Sequence, residues 1–257
     1  MSQPTAPNKD QISRDVLRLM VAAIIFLTVG RAHQHFGFIG AMRPLQLLFL
    51  ASAAYAAFGS SSISLRNLTS TWPPRVVLGL GVMAAVSVPF AISVGGAGSF
   101  LLFTYSKILL VFGLVLVTIR NAGDLKLYVW SYVAACGFLV FLSVFVFGLQ
   151  PSGGVSRLGG MYYYDSNGLG LVLSTGIPLC VALFQSSGRL GKLTSAMVLL
   201  GIGVALARSG SRGAFLGLAA VGVVLVIVVR GVSVGKRMAF VGVVAAGLLV
   251  ASPQGYW

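Results

Sequence analysis

A chain of 257 residues that is 57% hydrophobic and 9% charged, with a mean hydropathy of +0.96, lies far from soluble domains, in which about 25% of residues are charged. Its 18 Lys and Arg against 4 Asp give a formal charge of +14, which in a soluble chain would point to nucleic acid but in a membrane chain is first assigned to cytoplasmic loops. Composition therefore excludes a soluble globular domain and predicts an all-α, polytopic integral membrane protein in a lipid bilayer, with no nucleic-acid partner.

The first 15 residues, "MSQPTAPNKDQISRD", are polar and read as a cytoplasmic tail, with residues 16–257 as the transmembrane helical domain. Apolar runs then follow at about 17–31, 44–59, 76–95, 99–118, 127–149, 168–185, 193–207, 213–229 and 238–252, which predicts about nine spans at roughly 20 residues each. The third and fourth are parted only by "GGAGS". The first is read as a retained span, because no small-residue cleavage site follows it. Cys136 and Cys180 sit inside apolar runs without ligand spacing, so packing is their expected role and no metal or cofactor is implied.

Charge orients the scheme. With the N-terminus inside, the inner segments hold Lys9, Arg14, Arg18, Arg66, Arg75, Arg120, Lys126, Arg189, Lys192, Arg230, Lys236 and Arg237. The outer side holds Arg31, Arg43, Arg157, Arg208 and Arg212, which predicts N-inside and C-outside. Lys107 falls within the fourth run, where a lysine is costly and is expected to reach a carbonyl, a polar cavity or the interface.

The outer cations run against the topological rule that explains the inner ones, and all five are arginine, whose planar fork matches phosphate oxygens. In "VALARSGSRGAFLG", residues 204–217, Arg208 and Arg212 flank Ser209, Gly210 and Ser211 in a tight outer hairpin. A helix starting near Gly213 would aim its free N–H groups at the same place, which describes an anion site. The alternative is that both arginines snorkel to lipid phosphates and anchor the hairpin. The G-x-x-x-G from Gly213 to Gly217 is read as ordinary helix packing.

The longest outer loop carries "SRLGGMYYYDSNGLG", residues 156–170. Capping of the following helix is the first reading for at least one of Asp165, Ser166 and Asn167. Asp165 is also the only outer carboxylate, beside tyrosines including Tyr164 that can stack on a sugar; it can pair with Arg157 or Arg212, or act as a base. His33 and His35, in "RAHQHFG", are expected in an exposed loop, being a poor metal pair without other ligands nearby.

A D-x-N sequence opening one span, here "DSNGLG", followed about forty residues on by "GSRGAF" at the start of another, resembles the O-antigen ligase and O-antigen polymerase superfamily of bacterial envelope glycosyltransferases. That family's patterns are D-P-N-x-x-A and S-x-S-R-G, so Ser166 stands for the usual Pro and Gly170 for the Ala. The resemblance covers roughly residues 100–257. It implies an inner-membrane enzyme that, at the periplasmic face, moves a glycan from a polyprenyl diphosphate carrier to an acceptor hydroxyl on lipid A core, a growing glycan or a protein, without a metal or other cofactor. By the match Arg212 is a diphosphate contact, and Asp165 and Asn167 carry the loop motif. Arg208 and Arg157 join the diphosphate set from charge and position alone, and Tyr164 joins the loop as a glycan or Arg-positioning residue. Family members run on to a large outer loop bearing a candidate base His, to which neither His33 nor His35 corresponds. The chain is accordingly expected to be an N-terminal portion, inactive alone, with its catalytic base unassigned. The rival expectation is a non-enzymatic carrier or flippase for an anionic lipid or metabolite.

Overall fold

The structure, a computed structural model, describes residues 9–58, 72–152, 155–158 and 164–228, with single positions at 235, 238 and 242. It is a set of helices carrying one short β-hairpin. In chain order these are α1 (Lys9–Gly30), two short helices α2 (Ala32–His35) and α3 (Gly37–Ala41), α4 (Pro44–Phe58), α5 (Trp72–Ser87), α6 (Val94–Phe100), α7 (Ser106–Thr118) and α8 (Ala122–Phe141). Then come β1 (Leu149–Ser152) and β2 (Val155–Leu158), paired antiparallel with Gln150 opposite Arg157, and α9 (Ser166–Ser186), α10 (Arg189–Ser209) and α11 (Arg212–Val228).

Among the described residues five segments are long and apolar enough to cross a membrane: Trp72–Phe90, Val94–Thr118, Ala122–Val146, Ser166–Ser186 and Arg189–Ser209. Pro44–Ala56 and Gly213–Val224 are apolar but shorter. The ninth run, 238–252, lies almost wholly outside the described residues. Two boundaries differ from the reading of the sequence. Helix α1 starts at Lys9, within the polar stretch and ahead of the first apolar run at 17. The break between the third and fourth runs falls earlier, at 91–93, and "GGAGS" is helical. Pro89 lacks the N–H that an α-helix needs, so the chain tightens into a 3₁₀ turn at Val88–Phe90 and leaves it extended at Ala91. Ser93 then caps α6, its hydroxyl accepting from the Gly96 N–H at 3.2 Å.

Two segments depart from α geometry without ending their helix. Leu101–Tyr105 joins α6 to α7, and Leu142–Val146 extends α8; both are π-helical, and in the second the Phe147 N–H reaches back five residues to the Leu142 carbonyl at 2.8 Å.

The chain divides into two compact units. The first contains residues 1–24 and 43–128. Its polar tie is Asp124, in the first turn of α8, where a carboxylate is favoured by the helix dipole. Asp124 accepts from Arg18 Nη1 at 2.6 Å and from the Arg120 N–H at 3.1 Å, and is itself buried. Beside it the Tyr128 hydroxyl donates to Thr118 Oγ1 at 2.5 Å.

The second unit contains residues 25–42 and 129–257. Its core is built from α8, α9, α10 and the start of α11: Val133, Cys136, Leu139, Leu173, Ile177, Ile202, Leu206 and Ala214 are all buried. Both cysteines are free and buried in this core, as packing residues are. Helix α9 packs on both α10 and α11. Small residues permit the closeness, since a Cβ at Gly170 would lie 2.4 Å from the Ala214 Cβ and one at Gly217 3.4 Å from Ser174 Oγ.

Candidate functional site

The polar groups of the second unit gather where four segments of chain meet: the end of α1 with α2, the residue after the second π segment, the entry to α9, and the turn between α10 and α11. The turn is the tightest. Gly210 takes the left-handed conformation, φ 58°, which glycine adopts without steric cost. Ser209 Oγ donates to the Leu206 carbonyl at 2.7 Å and accepts from the Ser211 N–H at 3.3 Å. Ser211 Oγ accepts from the Ala214 N–H at 3.1 Å, which makes it the N-cap of α11. The same hydroxyl donates to Asn167 Oδ1 at 2.6 Å. The D-S-N and S-R-G stretches, 44 residues apart at this bond, are therefore joined side chain to side chain.

Asp165 caps α9, its carboxylate accepting from the Gly168 N–H at 2.7 Å. Among the described residues it makes no ion pair, so of the roles open to it from sequence the structure displays capping. Tyr164, just before it, donates its hydroxyl to the Val29 carbonyl at 2.9 Å. The Arg31 guanidinium carbon stands 4.2 Å from the centroid of the Tyr164 ring, a cation–π distance. Burial pushes the phenol pKa up, opposed by Arg31, so the group serves as a neutral donor. Tyr164 thus pins the loop to the end of α1, where Arg31 itself holds a left-handed backbone, φ 49°, uncommon for a side chain of its size.

Arg208, in the last turn of α10, is half-buried and donates from Nη2 to the Phe147 carbonyl at 3.3 Å. Its Nε is buried with no hydrogen-bond partner among the described residues. Leaving a guanidinium donor dry and unpaired is costly. The backbone places Arg157 on β2 and Arg212 at the first position of α11, while both side chains lie outside the described part of the structure.

The histidines depart from expectation. Neither lies in an exposed loop: both are half-buried in α2, and the His35 ring stands 5.6 Å from that of Phe147, the residue whose carbonyl takes Arg208. Burial first, and Arg31 second, lower the pKa of each, with His33 adding to the effect on His35. The reason the loop reading fails is Arg31. Its left-handed φ ends α1 and turns the chain back, so "AHQH" starts a new short helix against the unit. Sequence reasoning missed Arg31 and His35 as neighbours of the motif residues. The available signal was an outer arginine beside a histidine pair, three residues that a topological reading leaves as loop.

Taken with its apolar spans, this end of the molecule defines a helical membrane protein with a polar, arginine-bearing cluster at one end of α9, α10 and α11. Comparison with protein-family models, with curated proteins and with solved structures finds no match to the chain.

Proposed function

We propose that the chain is the membrane portion of a glycosyltransferase of the O-antigen ligase or polymerase type, set in a bacterial inner membrane with its N-terminus inside. It takes a glycan from a polyprenyl diphosphate carrier at the periplasmic face and passes it to an acceptor hydroxyl. The observation that carries this reading is the 2.6 Å hydrogen bond from Ser211 to Asn167, which unites the two motif stretches at the start of α11. Beside that bond α11 begins, and its first N–H groups and dipole favour an anion. Arg212 opens the helix and Arg208 closes the one before it.

In glycosyl transfer from a diphosphate, the C1–O bond to the carrier breaks and negative charge grows on the departing diphosphate. Fixed arginine forks stabilise that charge without reorganising. In this reading Arg212 holds the diphosphate, Arg208 uses its spare Nε, and Arg157 approaches from the hairpin. Asp165 and Asn167 hold the entry to α9 in place, and Tyr164 keeps the loop packed. The group that removes the acceptor proton is left unassigned.

The test is transfer by the intact protein reconstituted with a polyprenyl diphosphate-linked glycan and its acceptor. Arg212→Lys, which keeps the charge and loses the fork, should lower turnover by about 10²-fold, the usual effect of removing one oxyanion donor. An undiminished glycan ladder would sink the role. Movement of the lipid-linked glycan across the vesicle membrane with no transfer to acceptor would favour a flippase instead.

A further inference from the structure

The first unit holds a charge that no ion pair or hydrogen bond among the described residues neutralises. Lys107 stands near the middle of the 25-residue segment Val94–Thr118. At 1.5 Å per residue its Cα is about 20 Å from one end of that segment and about 16 Å from the other. A lysine stem covers only about a third of either distance, so snorkelling does not bring the ammonium to a phosphate. Lysine at this depth is accordingly rare unless it faces protein or a wet cavity.

Among the described residues of its unit Lys107 faces neither. Tyr105 donates its hydroxyl to the Val77 carbonyl at 3.1 Å, and a Cβ on Gly81 would meet Tyr105 and Leu109, so the face bearing Tyr105, at the end of the π segment, and Leu109, on α7, packs on α5. Lys107 lies two residues from each, about 200° round the helix. It is exposed, as are Phe103 and Ile108. Further along its own face the helix is covered, for Leu114 and Thr118, within about 20° of Lys107 in projection, are buried. The face is thus protein-lined toward one end and open at mid-depth.

The chain has four acidic residues, all Asp. Asp10 and Asp15 lie in the first turns of α1, Asp124 is held by Arg18, and Asp165 caps α9. None stands in the middle of an apolar segment, so residues 1–257 of a second copy bring no carboxylate to that depth either.

We propose that the open face of α7 at Lys107 docks a transmembrane helix of a different membrane protein, one that carries an Asp or Glu near its midpoint to pair with this lysine. The pair is the specificity element, and the apolar neighbours Phe103 and Ile108 supply the packing. The inference stands independently of the glycosyltransferase reading.

The test is the size of the protein extracted from its own membranes in mild detergent, followed by native electrophoresis. Wild type should run with a partner, Lys107→Arg should keep it, and Lys107→Leu should lower the complexed fraction at least about tenfold although the helix becomes more apolar. A photo-reactive residue at Thr104 in the otherwise unaltered chain should crosslink to a segment of about 20 apolar residues interrupted by a carboxylate. A Leu variant that migrates like wild type, a wild type that runs alone, or crosslinks only to lipid, to a second copy or to another segment of the same polypeptide would each overturn the proposal.

Discussion

Asp165 and the Asn167–Ser211 bond are the residues on which competing roles can be separated. As an N-cap, Asp165 contributes about 1 kcal/mol, so Asp165→Ala should lower the thermal midpoint in detergent while Asp165→Asn, an equally good cap, should not. If the Asn variant folds as wild type but loses all transfer, the carboxylate performs chemistry beyond capping. For Asn167 and Ser211, each single alanine variant should cost about 1 kcal/mol, and the double variant should fall short of the sum by a similar amount. Strict additivity would deny the bond. His33 and His35 bind fewer protons in the folded state than unfolded, because burial and Arg31 lower their pKa. The linkage sign is then positive: stability is fully present above the unfolded value of about 6.5 and is lost as pH falls from there toward the folded values. The thermal midpoint should drop between pH 7.5 and 5.5, and His33→Gln with His35→Gln should flatten that drop; an unchanged slope in the double variant would remove the histidines from the account.

Helix spacing is where Gly170 matters. In the pattern this loop resembles, alanine stands at that place, yet here the facing residue is Ala214, whose Cβ would meet a new methyl at 2.4 Å. Gly170→Ala should therefore overpack α9 against α11, at a cost of about 1–3 kcal/mol, and Ala214→Gly should restore the loss. A Gly170→Ala variant as stable as wild type would mean that the two helices separate freely. The same elements show what hydropathy carries and what it leaves out. The cores of the five segments long enough to span are legible because apolar runs must be about as long as the bilayer is thick. Ends are not, for they depend on local chemistry: Pro89 moved one break by several residues, and Ser93 rather than the glycine cluster opened α6. That at least one of Asp165, Ser166 and Asn167 caps α9 was legible from residue type and place, and the structure selects Asp165. The bond between Asn167 and Ser211, and the nearness of His35 to Phe147, were not, since both join segments far apart in sequence and no local pattern encodes them.

For the whole molecule the proposed N-inside orientation rests on charge asymmetry, and it predicts opposite accessibility for two connections. Gly188→Cys, between α9 and α10, should react with an impermeant maleimide only from the cytoplasmic side, and Gly160→Cys only from the periplasmic side. The native Cys136 and Cys180, both buried, should stay silent and supply the background. Reaction of both introduced thiols from one side would refute the topology. A last consequence follows from the π turn at Leu101–Tyr105. Such a turn holds one residue more than an α turn, and one residue is about 100° of rotation. The Val94–Thr118 segment therefore runs as two cylinders out of phase, and a stripe traced on one half does not continue onto the other. Deleting a single residue from the turn would bring the halves into phase and swing every side chain of Val94–Phe100 about a quarter of a circle relative to Lys107, with the apolar composition of the segment almost unchanged.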